Sequence, residues 1–139
     1  KKDLKEKYII QSMERNNLIK GLLQKAESDI KTARDLFKTK HYDWCLFIWH
    51  LALEKKLKAK ILSLEKTIIY THDLVRLAKH SLVLFSEEDM KHFYEITTFN
   101  IEARYDDYKL SFYHKATSEY TKLWFVRCES LFNKIIISK

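Results

Sequence analysis

The residues best suited to binding chemistry lie in the stretch 102–108, where Arg104 stands beside Tyr105 and close to Tyr108. The planar guanidinium of arginine matches a phosphate or carboxylate through two parallel hydrogen bonds. Tyrosine rings offer faces on which a base can stack. These residues predict that Arg104 contacts a phosphate or nucleotide, with Tyr105 as a neighbour in the site.

The same arginine also has a purely structural interpretation. An acidic side chain close to it in the fold would form an ion pair and fix a corner between two helices. The candidates for that pair are Asp106, Asp107 and Glu54. Spacing alone does not separate this arrangement from a ligand site.

A second polar segment, 70–74, contains His72 and Asp73 at the expected start of a helix. Free backbone N–H groups and the helix dipole favour an anion at such a position. We expect His72, and Lys58 from the preceding helix, as further candidates for a phosphate contact. The structural alternative is a plain capped helix, with Thr71 or Asp73 as the cap, and these residues taken alone favour it.

The common signatures of nucleotide-binding and nucleophilic enzymes are absent from the sequence, which has no GxxxxGK[ST], GxGxxG, GxSxG or HExxH pattern. No two of its six histidines show the i, i+4 spacing that suits zinc on one helix face. The two cysteines do not form a CxxC pair. The sequence therefore predicts no catalytic residue, no metal ligand and no cofactor.

Composition indicates which kind of secondary structure carries these candidate residues. The 139 residues include one glycine and no proline. Hairpin turns depend on glycine, whereas helix interiors exclude both residues. We therefore expect a single all-α domain of long helices with short polar connections. The net charge of +7 suits an acidic partner, although lysines spread along helices are also typical of a solvated face.

Apolar periodicity places the helices. A seam of apolar residues follows the first helix over 19–37, and the first half of the second is apolar on nearly every side. Asp43 is the expected cap of the second helix and Ser86 that of the fourth, in which Ile101 is expected to face inward. The predicted helices span about residues 3–38, 43–64, 71–80, 87 to a polar break at 103–108, and 111–137.

Several residues outside these sites have simpler expected roles. His50 is predicted to lie in the core with one hydrogen bond, and Cys45 and Cys128 to be buried free thiols of a reducing cytosol. No apolar run approaches the length of a membrane span, and no secretory signal is present, so a cytoplasmic protein without a membrane partner is expected. The histidines expected at the surface are His41, His80 and His92.

Taken together, these segments resemble the HEPN domain family in the order and spacing of four blocks. The likeness covers roughly residues 18–136, so that 1–17 is expected to be a helical extension or lead-in and 18–139 the HEPN-like domain. The blocks are Ala26-x2-Asp29-x3-Ala33-x2-Leu36, then Tyr42–Phe47 with His50–Ala59, then Thr71–Leu77, and Glu102–Tyr108 with Ala116 in the final helix.

The resemblance implies an up-and-down four-helix bundle with an additional short helix, in many members a homodimer. Members of the branch that it most resembles are commonly encoded beside, or fused to, a minimal nucleotidyltransferase, in pairs similar to toxin–antitoxin modules. The resemblance therefore implies a homodimer, a minimal nucleotidyltransferase as a possible partner, and a nucleotide or RNA as a possible ligand.

Some HEPN domains are metal-independent ribonucleases with an Arg followed after four to six residues by a His. The pair Arg34 and His41 has that spacing but lies in the first helix, not in the late helix where the family has its motif. Arg104 and His114 are separated by nine residues, which is too many. The chain is interpreted as lacking the motif.

Three functions follow as hypotheses. The leading one is a non-catalytic HEPN protein that binds a nucleotide or serves as the partner of a nucleotidyltransferase. The second is a ribonuclease toxin with a displaced site, in which His114 transfers a proton near an arginine of a second copy. The third is a dimerisation or interaction module in which Arg104 is buried in an ion pair.

Overall fold

The computed structural model describes residues 3–138, which form six helices and no strand. The predicted all-α bundle is confirmed. Four helices are long and two are short. Their bounds are α1 Leu4–Lys38, α2 Tyr42–Ser63, α3 Leu74–His80, α4 Glu87–Arg104, α5 Asp106–Lys115 and α6 Ser118–Lys134.

The first two helices pack side by side as an antiparallel pair. Lys55 pairs with Asp29 near the middle of the pair, and Arg15 pairs with Glu65 beyond the end of α2. The predicted seam of α1 supplies buried residues to this contact, including Ala26. α1 runs without a break from residue 4, so one helix spans the predicted boundary at 17/18, and that boundary stays a prediction.

The second helix is the centre of the bundle. It packs against α1, α3, α4 and α6. Because a neighbour covers it on nearly every side, half of its residues are buried, Trp49 and His50 among them. This arrangement explains why its first half is apolar all round.

Side-chain caps fix where four of the helices begin, and Asp3 caps α1. Asp73 caps α3, Thr117 caps α6, and Ser86 with Asp89 forms a reciprocal capping box at α4. The predictions for Asp73 and Ser86 are confirmed. The prediction for Asp43 is wrong, because α2 starts after His41 and Asp43 lies within its first turn.

The predicted last helix, 111–137, is wrong in its bounds. The chain forms α5 over 106–115, turns at Ala116 and Thr117, and then forms α6. The polar break predicted at 103–108 is only one extended residue, Tyr105, between α4 and α5. Phe112 is the one buried residue of α5, so this helix has no periodic apolar stripe for the sequence to show.

Lysines of α2 attach the end of the chain to the bundle. Lys56 Nζ donates to the carbonyl of Phe132 at 3.0 Å and Lys60 Nζ to that of Ile136 at 2.7 Å. Much of the basic run that the sequence shows in α2 therefore has a structural role. In the described part of the chain, residues 3–138, every helix is too short or too polar to span a bilayer.

Candidate functional site

Arg104 is the last residue of α4 and its side chain is exposed to solvent. Its Nη1 donates a hydrogen bond to Oδ1 of Asn100, one helical turn earlier, at 3.2 Å. Asn100 is itself buried, with 7% of its surface exposed. A buried amide therefore orients the inner edge of the guanidinium and leaves the other donors free.

Two of the three carboxylates that the sequence offered as partners for Arg104 are engaged elsewhere. Asp106 lies 3.2 Å from Lys109, and Glu54 pairs with Lys58 and His72. Within residues 3–138 no carboxylate oxygen lies within 4.0 Å of the Arg104 guanidinium. The ion pair required by the structural interpretation is thus not observed in the described part of the chain.

Exposed apolar side chains precede and follow Arg104 along the chain, from the end of α4 into α5. Tyr105 is 57% exposed and Tyr108 is 51% exposed, so both rings are open to a stacking partner. Ile101, expected to face inward, is 44% exposed, and that prediction is wrong. We refer to Ile101, Tyr105, Tyr108 and Leu110 as the α4–α5 surface.

His72 and Lys58 meet at a third residue, Glu54 of α2. The buried carboxylate accepts from His72 Nδ1 at 2.8 Å through one oxygen and from Lys58 Nζ at 2.8 Å through the other. His50 Nε2 donates to the backbone carbonyl of His72 at 2.9 Å. Two residues of α2, one turn apart, therefore fix both the ring and the main chain of His72.

The charges of this cluster follow from its contacts. Burial disfavours ionisation of Glu54, but hydrogen bonds from Lys58 and His72 outweigh it and lower the pKa of this carboxyl. Burial lowers the pKa of His50, which is therefore the neutral tautomer with its proton on Nε2. The remaining nitrogen of His72, Nε2, has no protein partner among the described residues, and the side chain is 58% exposed.

The start of α3 has no free donors for an anion. The carboxylate of Asp73 accepts from the N–H groups of Val75 and Arg76. The N–H of Asp73 donates to Thr71 Oγ1, and that of Leu74 donates to Thr97 Oγ1 of α4. The structure therefore favours the plain capped helix at this segment.

The four predicted site residues fall into two groups. Arg104 and Tyr105 are adjacent at the end of α4, whereas His72 and Lys58 are joined through Glu54. No hydrogen bond or ion pair between described residues connects the two groups. Lys58 is largely buried and its ammonium is occupied by Glu54.

The alternative arginine–histidine pairs are not assembled in one chain. Arg34 pairs with Glu129 at 3.6 Å, while the ring of His41 hydrogen-bonds Thr39 at 2.9 Å. His114 lies beside Tyr113 and lines a cavity of about 360 Å³ that no arginine lines. Among residues 3–138 no group of three or more metal-ligating side chains converges.

The predicted burial of the two thiols and of His50 is confirmed. Cys45 and Cys128 are free and buried, and burial raises the pKa of the Cys45 thiol to about 12. His50 has the predicted single hydrogen bond. His92, in contrast, was expected at the surface, but its side chain is only 19% exposed and its ring packs against Trp124.

Sequence reasoning missed three features around these residues: the role of Asn100, the two partners of Glu54, and the burial of His92. For His92 a signal existed, because it precedes Ile96, Phe99 and Ala103 at the 4, 3, 4 spacing of a helical seam. The neighbouring charges obscured it. Nothing in the sequence indicates that Glu54 pairs with His72 and not with Arg104.

Comparisons with known proteins agree on the architecture. The family model described as the HEPN domain matches residues 19–135. The fold is similar to the crystal structure of TT1696 from Thermus thermophilus, with a TM-score of 0.74 and 16% sequence identity, over 84% of this chain and 94% of that one. At this identity the likeness is informative about the fold alone. No curated protein matches the sequence.

Proposed function

The chain belongs to the HEPN domain family, and from this premise we propose that it is a non-catalytic member that binds a nucleotide through Arg104. The supporting observation is an exposed guanidinium that Asn100 holds at one edge and that has no carboxylate partner among the described residues. A phosphate supplies the missing negative charge. Tyr105 offers a face on which a base can stack.

The residue found at the spacing of the ribonuclease motif after Arg104 supports the proposal that the chain is non-catalytic. Where that motif can have its His, after four intervening residues, this chain has Lys109, whose ammonium lies 3.2 Å from Asp106. Its ammonium group is a hydrogen-bond donor only and has no lone pair with which to accept a proton from a hydroxyl group.

We assign different roles to His72 and Lys58. The ammonium of Lys58 neutralises Glu54 and so positions this carboxylate, and it has little surface left for a ligand. The free Nε2 of His72 remains available as a further contact. In this proposal Arg104 is the main phosphate contact and Lys58 is a positioning residue.

Isothermal titration with nucleoside triphosphates tests the proposal. We expect Arg104→Gln to weaken binding at least tenfold, because a charge-assisted hydrogen bond contributes about 1.5–3 kcal/mol. Arg76→Gln is the matched control, since Arg76 is also exposed and lies on neighbouring α3. Equal affinities of the two variants, or no binding by the wild type, would contradict the nucleotide proposal.

We further propose that the α4–α5 surface is where a second copy of the chain binds. The supporting observation is a run of exposed apolar and aromatic side chains, the residue types enriched at interface centres. Sedimentation of the Tyr108→Glu variant tests the proposed dimer. Leu84→Glu is the control, because it changes a leucine that is exposed elsewhere on the chain. A monomeric wild type, or equal association of both variants, would count against a dimer on this face.

The family resemblance also supports a minimal nucleotidyltransferase as a partner in a module similar to a toxin–antitoxin pair. Copurification of the chain with the product of a neighbouring nucleotidyltransferase gene would test the pairing. Growth of cells that express each protein alone and both together would test the toxin–antitoxin role. No complex and no growth effect would contradict this part.

A second candidate, metal-independent RNA cleavage, has one specific observation in its favour. Glu54 orients His72 through Nδ1 and leaves Nε2 open to solvent, which is the arrangement of a general base held by a carboxylate. Cleavage of RNA in EDTA that is lost in His72→Ala would favour it. Loss in His114→Ala instead would point to the displaced site predicted from the sequence.

A further inference from the structure

Helices α4 and α6 lie antiparallel with a groove between them. Lys134 Nζ contacts both oxygens of Asp89 at 2.9 and 2.8 Å at one end of the groove. Tyr120 donates to Glu95 at 2.6 Å at the other end. The helices leave an open groove of about 760 Å³ along residues 86–95, with Trp124 and Arg127 of α6 on its other side.

Aromatic rings form the inner wall of this groove. Trp124 is 6% exposed, and the ring of His92 meets it edge to face with centroids 5.4 Å apart. The imidazole makes no hydrogen bond with any described residue, and its closest ion-pair partner, Glu88, is 3.8 Å away. The wall therefore combines a flat apolar surface with a partly buried polar group that makes no hydrogen bond within the described residues.

Arg127 lies beside this wall without an acceptor. Its guanidinium is 4.7 Å from the centre of the Trp124 ring, and the residue is partly buried. Arg15 and Arg34 each pair with a glutamate. Arg127 has neither a hydrogen bond nor an ion pair within residues 3–138. Arg127 thus lies against the indole ring, and its five N–H donors have no acceptor among the described residues.

The acidic residues of the groove do not neutralise Arg127. Glu95 is occupied by Tyr120 and Lys115, and Asp89 by Lys134 and the cap of α4. Glu88 faces His92. The cations Lys91 and Arg127 also line the groove.

We propose that the groove between α4 and α6 binds a small organic anion, whose carboxylate or phosphate pairs with Arg127 and whose planar body packs against Trp124 and His92. A carboxylate and a phosphate share the geometry that the guanidinium recognises. Arg104 lies twelve residues beyond His92 on α4, about 18 Å along the helix axis, so this site is separate from the proposed nucleotide site.

Four probes in a two-by-two design identify the chemistry. Benzoate and phenyl phosphate have a ring, whereas acetate and inorganic phosphate lack one. We follow their titration by heteronuclear NMR of the labelled chain, using the indole N–H of Trp124 and the amides of α4 and α6. The proposal expects saturable shifts at Trp124 and at least tenfold tighter binding of each ringed anion than of its ringless counterpart.

Variants of Arg127 test the anion contact. Arg127→Gln should weaken the preferred ringed anion at least tenfold, and Arg127→Lys should weaken it less, because it keeps the charge but loses the planar fork. Arg34→Gln, which removes a surface arginine of α1 that pairs with α6, should bind like the wild type. Arg104→Gln should also bind normally, which separates this result from failure of the nucleotide proposal.

Three outcomes would overturn the proposal. The first is no saturable shift at Trp124 at millimolar concentrations of any probe. The second is equal binding by Arg127→Gln and Arg34→Gln. The third is clustering of the shifts at residues 101–108 instead of in the groove. Circular dichroism of each variant checks folding, and the wild-type shift map tests the site even if a variant is unfolded.

Discussion

Glu54 Oε1 lies 2.8 Å from His72 Nδ1, so a buried carboxylate on α2 holds the imidazole of a residue that precedes α3. The irregular connection 64–73 has no helix of its own to fix its path. The contact with Glu54, together with the hydrogen bond from His50 to the His72 carbonyl, fixes it at its far end. The polar cluster is therefore part of the fold as well as a candidate site.

Replacing Glu54 by glutamine should destabilise the protein by about 2 kcal/mol, because the change removes two charge-assisted hydrogen bonds from a largely buried site. Glu129→Gln is the matched control, since its pair with Arg34 is about half exposed and should cost less than about 0.5 kcal/mol. Urea unfolding of both variants gives the comparison. Equal losses would show that the Glu54 cluster contributes no more than a surface pair.

The pH dependence of stability should reveal the buried histidine. Burial lowers the pKa of His50 below its ordinary value of 6.5. The unfolded chain therefore takes up a proton near pH 6.5 while the folded chain does not. This contribution to stability is fully present above pH 6.5 and is lost as the pH falls below it.

When the pH is lowered from about 7.5 to about 5.5, the free energy of unfolding should decrease for both proteins. The decrease for His50→Gln should be smaller than that for the wild type by up to about 1.4 kcal/mol. Gln can still donate to the His72 carbonyl, so the hydrogen bond is retained. His80→Gln, which changes an exposed histidine, is the matched control. Parallel curves for wild type and His50→Gln would show that His50 does not titrate differently in the two states.

The boundary between α5 and α6 can be tested through its cap. Thr117 Oγ1 accepts from the N–H of Tyr120 at 3.1 Å, so Thr117→Ala should cost about 1 kcal/mol. Thr32→Ala makes the same chemical change inside α1, where the hydroxyl bonds the Ser28 carbonyl, and should be neutral or slightly stabilising. Thermal unfolding distinguishes them. A single helix through 111–137 would make both substitutions equally harmless.

A helix that buries many residues is easier to predict from the sequence than one that buries few. α1 and α2 bury long seams, and their extents were predicted to within a few residues. Caps such as Asp73 and Ser86 were also predictable, because capping depends on residues two or three positions apart. α5 has one buried residue and an exposed helical face, so its pattern resembles a polar loop.

The site was less predictable for a different reason. Arg104 had three plausible acidic partners within reach by sequence, and its observed contact is a buried amide one turn away. The partner of a long side chain depends on rotamers and on which helices pack together, and local spacing specifies neither. Glu54 shows the same limit, since His72 and Lys58 meet it from two elements.

The attachment of α5 through one side chain yields a last prediction. Phe112 is 1% exposed and its ring lies 5.6 Å from that of Phe99, whereas Leu110 on the same helix is 68% exposed. Phe112→Ala should therefore destabilise the protein by about 3–4 kcal/mol or release α5 locally, and Leu110→Ala should cost less than about 0.5 kcal/mol.

Hydrogen exchange separates the two consequences of the Phe112 change. Faster exchange confined to residues 106–115 would mean that α5 opens while the rest of the bundle stays folded. Because Tyr108 belongs to α5, that variant should also weaken the proposed dimer on the α4–α5 surface. Wild-type exchange rates in Phe112→Ala would contradict the interpretation that one buried ring holds this helix in place.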